Sequence, residues 1–185
     1  FIFLRDTATN QWWSTTAEPR RIEGEETKAV FGDEKAEFHK TVGTLTSTVE
    51  CIVATEHDAE GRRLTLLNTG TEDRYIEVTS YLEPVIAHDN DDSAHPVFSR
   101  MFVKTEIGRR GDVIRATRNK RTSGDASMWV AHLAADNAGS SRPTEFETDR
   151  RRFLGRGRSL SEAAAFDQDA TLSGTDGFTL DPIMS

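Results

Sequence analysis

Short runs in which apolar and polar residues alternate, separated by turn-forming residues, recur along almost the whole sequence. The clearest run is 75–82, in which Ile76, Val78 and Leu82 alternate with polar side chains. A period of two places the apolar side chains on one face of a strand. No long run has the 3.6-residue period of a helix. The chain is therefore predicted to fold as an antiparallel β-structure.

The predicted strands are 1–4, 11–15, 28–31, 36–42, 45–55, 63–68, 75–82, 100–106, 113–117, 128–133 and 145–148. Turn-forming residues separate them at 58–61, 68–70, 108–111, 123–125 and 137–139. About ten short, regularly spaced strands are typical of a β-sandwich. The only helix predicted is 161–166, where Ser161 can cap the first turn and Glu162 suits it.

Composition excludes several classes of protein. The net charge of -8 and the lack of a sustained basic cluster argue against a nucleic-acid partner, since the densest positive stretches are only Arg109-Arg110 and 150–158. No apolar run approaches the roughly 18 residues that a membrane-spanning helix needs. The single cysteine, Cys51, excludes an internal disulfide, fits a reducing compartment and is predicted to be a buried thiol. A length of 185 residues suits one domain, 1–185.

Two adjacent tryptophans, Trp12 and Trp13, are candidate carbohydrate-binding residues. Pyranose faces stack on aromatic rings, and the neighbouring polar residues 14–16 offer partners for sugar hydroxyls. Adjacent residues of a strand point to opposite faces, so one of the two is expected in the core. Trp129, which alternates with Ala131 and Leu133, is predicted to be a core residue as well.

Two histidines, His88 and His95, flank an acidic run, 88–92, that is too polar to be buried and is predicted to be a solvated loop. Three uses are open for it: a structural or interface loop, a saccharide contact, or a metal site. The run lacks the glycine of a calcium loop, and its spacing matches no strong zinc or manganese pattern. We therefore predict no metal, and we name His88 and His95 as candidate saccharide contacts.

Residues 73–106 resemble part of the N-terminal β-sandwich of family 94 glycoside phosphorylases. The resemblance lies in the order of their parts, which are a strand, the motif YLEP, an acidic loop and the motif HPVFSRMFVKTE. Four further segments extend this similarity over nearly the whole chain: RDTATNQWWSTTAEPRR, LTLLNTGTEDRYIEVTSY, SMWVAHL and RRFLGRGRSL. Within the family, it most resembles the phosphorylase-like region of bacterial cyclic β-1,2-glucan synthases. The resemblance implies an all-β antiparallel super-β-sandwich, similar in fold to galactose mutarotases, with at most one or two short helices.

The same resemblance implies that the chain is a segment of a longer enzyme and that 155–185 leads towards the next domain. The general acid of such phosphorylases is an aspartate in the following helical barrel. In this chain the only candidates for a catalytic carboxyl group are Glu83 and Glu106, which end the two clearest strands. We therefore expect no catalytic residue, no cofactor and no activity of the chain by itself. The implied parent is a membrane-embedded synthase that uses UDP-glucose. The implied partners are β-glucan, the helical barrel and a second copy in a homodimer, with this portion on the cytoplasmic side of the bacterial inner membrane.

Two alternative functions are also open to a chain with this sequence. An autonomous carbohydrate-binding module would hold β-glucan unaided. A mutarotase-like sugar epimerase would need a histidine and a glutamate on a sheet face, and His132 with Glu83 or Glu106 is the candidate pair. Gly155-Arg156-Gly157 is too short for a phosphate-binding loop and is expected to be a turn.

Overall fold

A computed structural model of the chain describes residues 1–109, 111, 113–120, 127–137 and 145–185. Arg110, the predicted turn 123–125 and most of the turn 137–139 lie outside these residues. Within them the fold is mostly β and antiparallel, as the sequence predicts, and it consists of three sheets and a few short helices. The chain divides into two compact units, Phe1–Thr79 (unit 1) and Ser80–Ser185 (unit 2).

Unit 1 contains two sheets. The smaller has the order β2-β1-β7 and consists of β1 (Ile2–Asp6), β2 (Gln11–Ser14) and β7 (Ile76–Ser80), whose last residue belongs to unit 2. The larger has the order β3-β4-β5-β6 and consists of β3 (Glu26–Phe31), β4 (Ala36–Val42), β5 (Leu45–Val53) and β6 (Glu60–Asn68). Each strand of the larger sheet pairs with the next in sequence, which is the topology of a meander.

The core of unit 1 combines residues from both of its sheets. Leu4 and Trp13 of the smaller sheet pack with Val42 and Leu45 of the larger one. Gly43, which separates β4 from β5, has a φ of 59°, a conformation that glycine adopts without a steric cost. This turn brings Val42 opposite Leu45 and so places both side chains on the inner face.

Unit 2 contains one four-stranded sheet and all of the helices. The sheet has the order β10-β9-β8-β11 and consists of β8 (Val103–Ile107), β9 (Val113–Arg118), β10 (Trp129–Leu133) and β11 (Gly177–Phe178). Ile86, Val103, Ile114, Ala116 and Met184 form the core against its inner face. A second apolar group joins the rings of Tyr81, Phe153 and Phe166.

The helices lie where the sequence predicts other structure. The acidic run is exposed as expected, but it forms a short helix, α1 (Asp89–Ala94). A second, α2 (Pro96–Arg100), begins at a proline, which is tolerated there because the first turn of a helix needs no amide donor. Because α2 occupies residues up to Arg100, the strand predicted to begin there begins only at Val103. A third, α3 (Arg150–Leu154), is capped by the side chain of Asp149. None of the helices among the described residues has the length and apolar character to cross a bilayer.

The C-terminal part of unit 2 also differs from prediction. The predicted helix at 161–166 consists of two 3₁₀ turns, Leu160–Glu162 and Ala164–Phe166, and Ser161 lies inside the first turn and does not cap it. The predicted strand 145–148 is absent, although Glu147 exchanges two backbone hydrogen bonds with Ser185. The segment 155–185 supplies β11 and the buried Ile183 and Met184, and the Met184 backbone exchanges two hydrogen bonds with that of Leu82.

Candidate functional site

Both candidate tryptophans of β2 are buried in unit 1. Trp13 lies in the core, as expected for one of the two. Trp12 points the other way, but its side of the strand is also covered, and the residue is only 9% exposed. The ring of Phe3 lies 5.8 Å from that of Trp12, and the guanidinium of Arg20 lies 4.8 Å from the ring centroid. In this structure neither ring offers an open face to a sugar, and a saccharide contact here stays a prediction.

The two candidate histidines flank α1 in unit 2, and both are exposed. The carbonyl of His88 accepts hydrogen bonds from the amides of Asp91 and Asp92, and the amide of His95 donates to the carbonyl of Asp91. Beyond α1, His95 lines a shallow surface depression of about 370 Å³ together with exposed apolar residues of α2, including Phe98. No group of three or more His, Cys, Asp or Glu side chains in the described part of the chain is arranged to hold a metal ion.

Glu83, the first carboxyl candidate, belongs to a network of charged side chains in unit 2. It accepts a hydrogen bond from the Tyr81 hydroxyl at 2.6 Å and one from Arg150 Nε at 2.9 Å. Both Arg150 and Arg100 also reach Asp181, at 3.3 Å each. Burial opposes ionisation of Glu83, but the hydrogen bonds from Tyr81 and Arg150 outweigh it and hold its pKa below the ordinary value. An ionised, ion-paired carboxylate does not fit the role of a general acid, which must carry a proton at working pH.

Glu106, the second carboxyl candidate, lies on the solvent-facing side of the unit 2 sheet. Lys104 Nζ donates to Glu106 at 2.9 Å, and Arg115 lies 3.8 Å from it. The hydrogen bond from Lys104 lowers the pKa of Glu106, so this group is also ionised at neutral pH. The register pairs Glu106 with Arg115, and Arg115 with Ala131, across three neighbouring strands.

The prediction that Trp129 is a core residue is wrong. Trp129, Ala131 and Leu133 do share one face of β10, but that face is exposed, and Trp129 itself is 53% accessible. Alternation identifies which residues lie on the same side of a strand, and it does not identify which side is buried. The partly buried residues of β10 are Val130 and His132, which pair with the buried Ala116 and Ile114.

We define the outer face as the exposed side of the sheet β10-β9-β8-β11. In register, its residues are Trp129, Ala131 and Leu133 on β10, Val113, Arg115 and Thr117 on β9, Lys104 and Glu106 on β8, and Phe178 on β11. Aromatic rings therefore lie on its two outermost strands and charged side chains lie between them. Sequence analysis missed this surface, because only the strand register brings the tryptophan and the charges to the same side.

The histidine and glutamate of the mutarotase alternative do not come together. His132 Nε2 lies 2.7 Å from the hydroxyl of Ser80, and the ring is on the inner side of the sheet. Glu106 is on the outer face, and Glu83 is bound to Tyr81 and Arg150. The geometry therefore does not favour the mutarotase alternative, which needs His132 beside one of the two glutamates.

Among the described residues of unit 2, Glu147 is the most buried carboxylate, and no motif in the sequence marks it. It accepts hydrogen bonds from the amides of Thr148 and Asp149 at 3.0 Å each and from the hydroxyls of Ser173 and Thr175. Burial would raise its pKa, yet these donors, led by Ser173 and Thr175, hold the pKa below its ordinary value. The partners lie 26 and 28 residues away in sequence, so the group fastens the segment 173–175 to the body of the unit.

Cys51 is predicted to be buried, but it is only half-buried on β5, near the end of that strand where the side chains become exposed. Desolvation raises the pKa of its thiol, so the thiol is protonated at neutral pH and is a poor nucleophile. This fits the structural role expected of it better than a reactive one.

Comparison with known proteins links this architecture to carbohydrate enzymes. All of the chain, residues 1–185, matches the family described as glycosyl hydrolase 94, supersandwich domain. The chain is also 73% identical over 185 residues to the cyclic beta-(1,2)-glucan synthase NdvB of Rhizobium meliloti (strain 1021). That match covers 100% of the chain and 6% of the relative, so the chain spans only a small part of the relative's length.

Proposed function

Because the chain belongs to the glycosyl hydrolase 94 supersandwich family, we propose that it is the non-catalytic β-sandwich domain of a cyclic β-1,2-glucan synthase. The main support for the proposal is the 73% identity, over the whole chain, to a segment of a protein named for that activity. The parent would build β-1,2-glucan from UDP-glucose, and its phosphorylase-like portion would shorten the chain with phosphate. The parent would lie in the inner membrane with this portion on the cytoplasmic side.

The state of the carboxyl groups supports a non-catalytic role. Inverting phosphorolysis needs a carboxylic acid that can protonate the glycosidic oxygen while phosphate attacks from the other side of the ring. Enzymes provide such an acid by raising its pKa. Glu83, Glu106 and Glu147 are shifted in the opposite direction, each by hydrogen bonds that stabilise the ionised form. The hydrogen bonds and ion pairs of these carboxylates indicate that they stabilise the fold.

We also propose that the domain supports a catalytic helical barrel, and membership of the same family supports this role. The exposed apolar residues of α2, Val97 and Phe98, are the kind of surface that a neighbouring domain covers. A homodimer contact stays a prediction. Direct contact with the glucan chain is a second role that we infer, because the outer face exposes aromatic and charged side chains together.

The proposal is tested in the complete synthase that contains this chain. Glu83→Gln and Glu147→Gln are each expected to lower the melting temperature and to leave the turnover number of the folded enzyme within about twofold, because both groups stabilise the domain and neither transfers a proton. Phosphorolysis of linear β-1,2-glucan and formation of cyclic glucan from UDP-glucose are the assays. Melting is followed by differential scanning fluorimetry.

A catalytic carboxyl group would give the opposite pattern. Loss of a general acid costs on the order of 10²- to 10⁴-fold in rate. A drop of that size in either variant, with an unchanged melting temperature, would contradict the non-catalytic assignment. The matched control is Glu60→Gln, an exposed carboxylate at the start of β6 whose replacement should change neither quantity.

A further inference from the structure

We infer that the outer face of unit 2 is a binding surface for a linear β-linked glucan oligosaccharide, with Trp129 and Phe178 as stacking platforms. The inference rests on the proposed function, which supplies the glucan as ligand, and it adds the place on the fold where the glucan is held. Neither ring is needed for the core, since Trp129 is 53% and Phe178 59% exposed.

The strand register aligns the two rings across the sheet. Trp129 pairs with Thr117, Thr117 with Lys104, and Lys104 with Phe178, so all four side chains lie in one row on the same face. Three interstrand spacings of about 4.8 Å separate the outer members by about 14 Å. This distance suits an oligosaccharide that spans several sugar units, and it is too long for one ring to touch both platforms.

Hydrogen-bonding groups of both kinds lie between and beside the platforms. Lys104 and Arg115 are donors and Glu106 is an acceptor, and contacts of 2.9 Å and 3.8 Å hold Glu106 between the two cations. Thr117, which donates to the Met128 carbonyl, keeps lone pairs that can accept. A chain of sugar hydroxyls offers donors and acceptors alternately, and this row can satisfy both.

The distribution of polarity favours a sugar over a protein partner. Protein interfaces have an apolar centre and a polar rim. The outer face has the reverse arrangement, with the charged Lys104, Glu106 and Arg115 on the two central strands and apolar side chains on the outermost strands, which are Trp129, Ala131 and Leu133 on β10 and Phe178 on β11. The charged side chains Lys104, Arg115 and Glu106 sum to only +1, which is far from the dense positive charge that binds an anionic polymer such as a nucleic acid. An uncharged polymer with apolar ring faces and many hydroxyls fits both properties.

The positions of the three tryptophans make the test specific. Trp12 and Trp13 are buried and Trp129 is exposed, so acrylamide should quench mainly Trp129 in the folded chain. Titration of the full 185-residue chain with linear β-1,2-glucan oligosaccharides should give a saturable loss of acrylamide quenching. The same titration of Trp129→Phe should give no fluorescence change, and isothermal titration calorimetry should show affinity reduced by about tenfold.

A matched pair of variants separates this surface from general stickiness. Phe178→Ala should weaken binding by about tenfold, whereas Phe31→Ala, which removes an aromatic ring that is 76% exposed in unit 1, should leave it unchanged. Arg115→Gln and Glu106→Gln should each weaken binding, because each removes a charged partner for the sugar hydroxyls. Both positions are on a solvent-exposed sheet face, so these variants are expected to fold.

Several results would overturn the inference. They are no saturable response of the parent sequence, an equal loss in Phe31→Ala, or equal affinity for α-linked maltodextrins. A fourth is a Trp129→Ala synthase that still binds glucan but no longer holds this domain against its neighbour, which would make the outer face a protein interface. Failure here would not affect the proposed function, because the Glu83 and Glu147 variants test that through melting temperature and turnover.

Discussion

The buried lysine of β4 gives the sharpest prediction about stability. The Lys40 side chain is 0% exposed, and its Nζ lies 2.6 Å from Glu25 Oε2, whose side chain is 11% exposed. The remaining acceptors are the carbonyls of Thr16 at 3.0 Å and Arg20 at 3.5 Å. Glu25→Gln keeps the shape of the partner and removes its charge, so the ammonium group would be left buried without a counter-ion.

The magnitude follows from these distances. At 2.6 Å and an effective dielectric constant of about 20, the attraction between the charges is about 6 kcal/mol. The amide oxygen of glutamine and the two carbonyls retain part of it. Removal of one partner of a buried ion pair typically costs about 3 to 5 kcal/mol, and we expect a loss in that range for unit 1. Addition of Lys40→Met should recover most of the loss, because a buried apolar side chain of similar length needs no partner.

The assay must report on unit 1 alone. In a Trp129→Phe background the only tryptophans are Trp12 and Trp13, and both are buried in unit 1. Urea unfolding followed by their fluorescence therefore gives the free energy of unfolding of that unit. A loss below about 1 kcal/mol for Glu25→Gln, or a double variant less stable than Glu25→Gln alone, would refute the account of Lys40 as a buried charge that depends on its partner.

Three further predictions concern unit 2. Hydrogen bonds hold the pKa of Glu147 below its ordinary value of 4.5, so its stabilising effect is present above that value and is lost as pH falls through the lower folded value; Glu147→Gln should therefore make stability less dependent on pH below about pH 5, as measured by acid unfolding. Burial and the hydrogen bond to Glu83 raise the pKa of the Tyr81 hydroxyl. In Tyr75→Phe, Tyr81 is the sole tyrosine, so ultraviolet titration of this variant should show no ionisation near pH 10. A tyrosine that titrates near pH 10 would contradict this prediction. Gly155→Ala should lower the free energy of unfolding by about 1 to 3 kcal/mol more than Gly157→Ala, because both have positive φ but only the Cβ at 155 meets another side chain, at 2.9 Å; equal losses would refute the steric argument.

The strands could be predicted from the sequence because alternation is a local property. The predicted strand 36–42 matches β4 residue for residue, and a glycine with positive φ follows it as turn chemistry requires. The helices could not be predicted in the same way, since α2 has five residues and depends on Pro96 at its start. A helix of five residues is too short to show a 3.6-residue period of apolar residues in the sequence.

The candidate site was less accessible to sequence reasoning than the strands. The sequence indicates Trp12 as a candidate for sugar binding, but the structure places Arg20 over its ring and Phe3 against it in a T-shaped contact. Alternation along β10 predicts Trp129 in the core, and only the pairing of Trp129 with Thr117, and of Thr117 with Lys104, shows that it shares a face with charged residues. Contacts between strands decide which face is exposed, and one strand read alone does not contain them.

The pairing of Met184 with Leu82 has a consequence for how the chain matures on the ribosome. Unit 1 has all of its residues once Thr79 has been made, so it can fold while synthesis continues. Unit 2 needs Met184 in its core, and that residue is added 102 positions after Leu82. At about 5 to 20 residues per second, the nascent unit 2 waits about 5 to 20 s with its apolar residues uncovered. During that interval we expect the apolar residues of unit 2 to be open to a chaperone, whereas unit 1 already has every residue that it needs to fold.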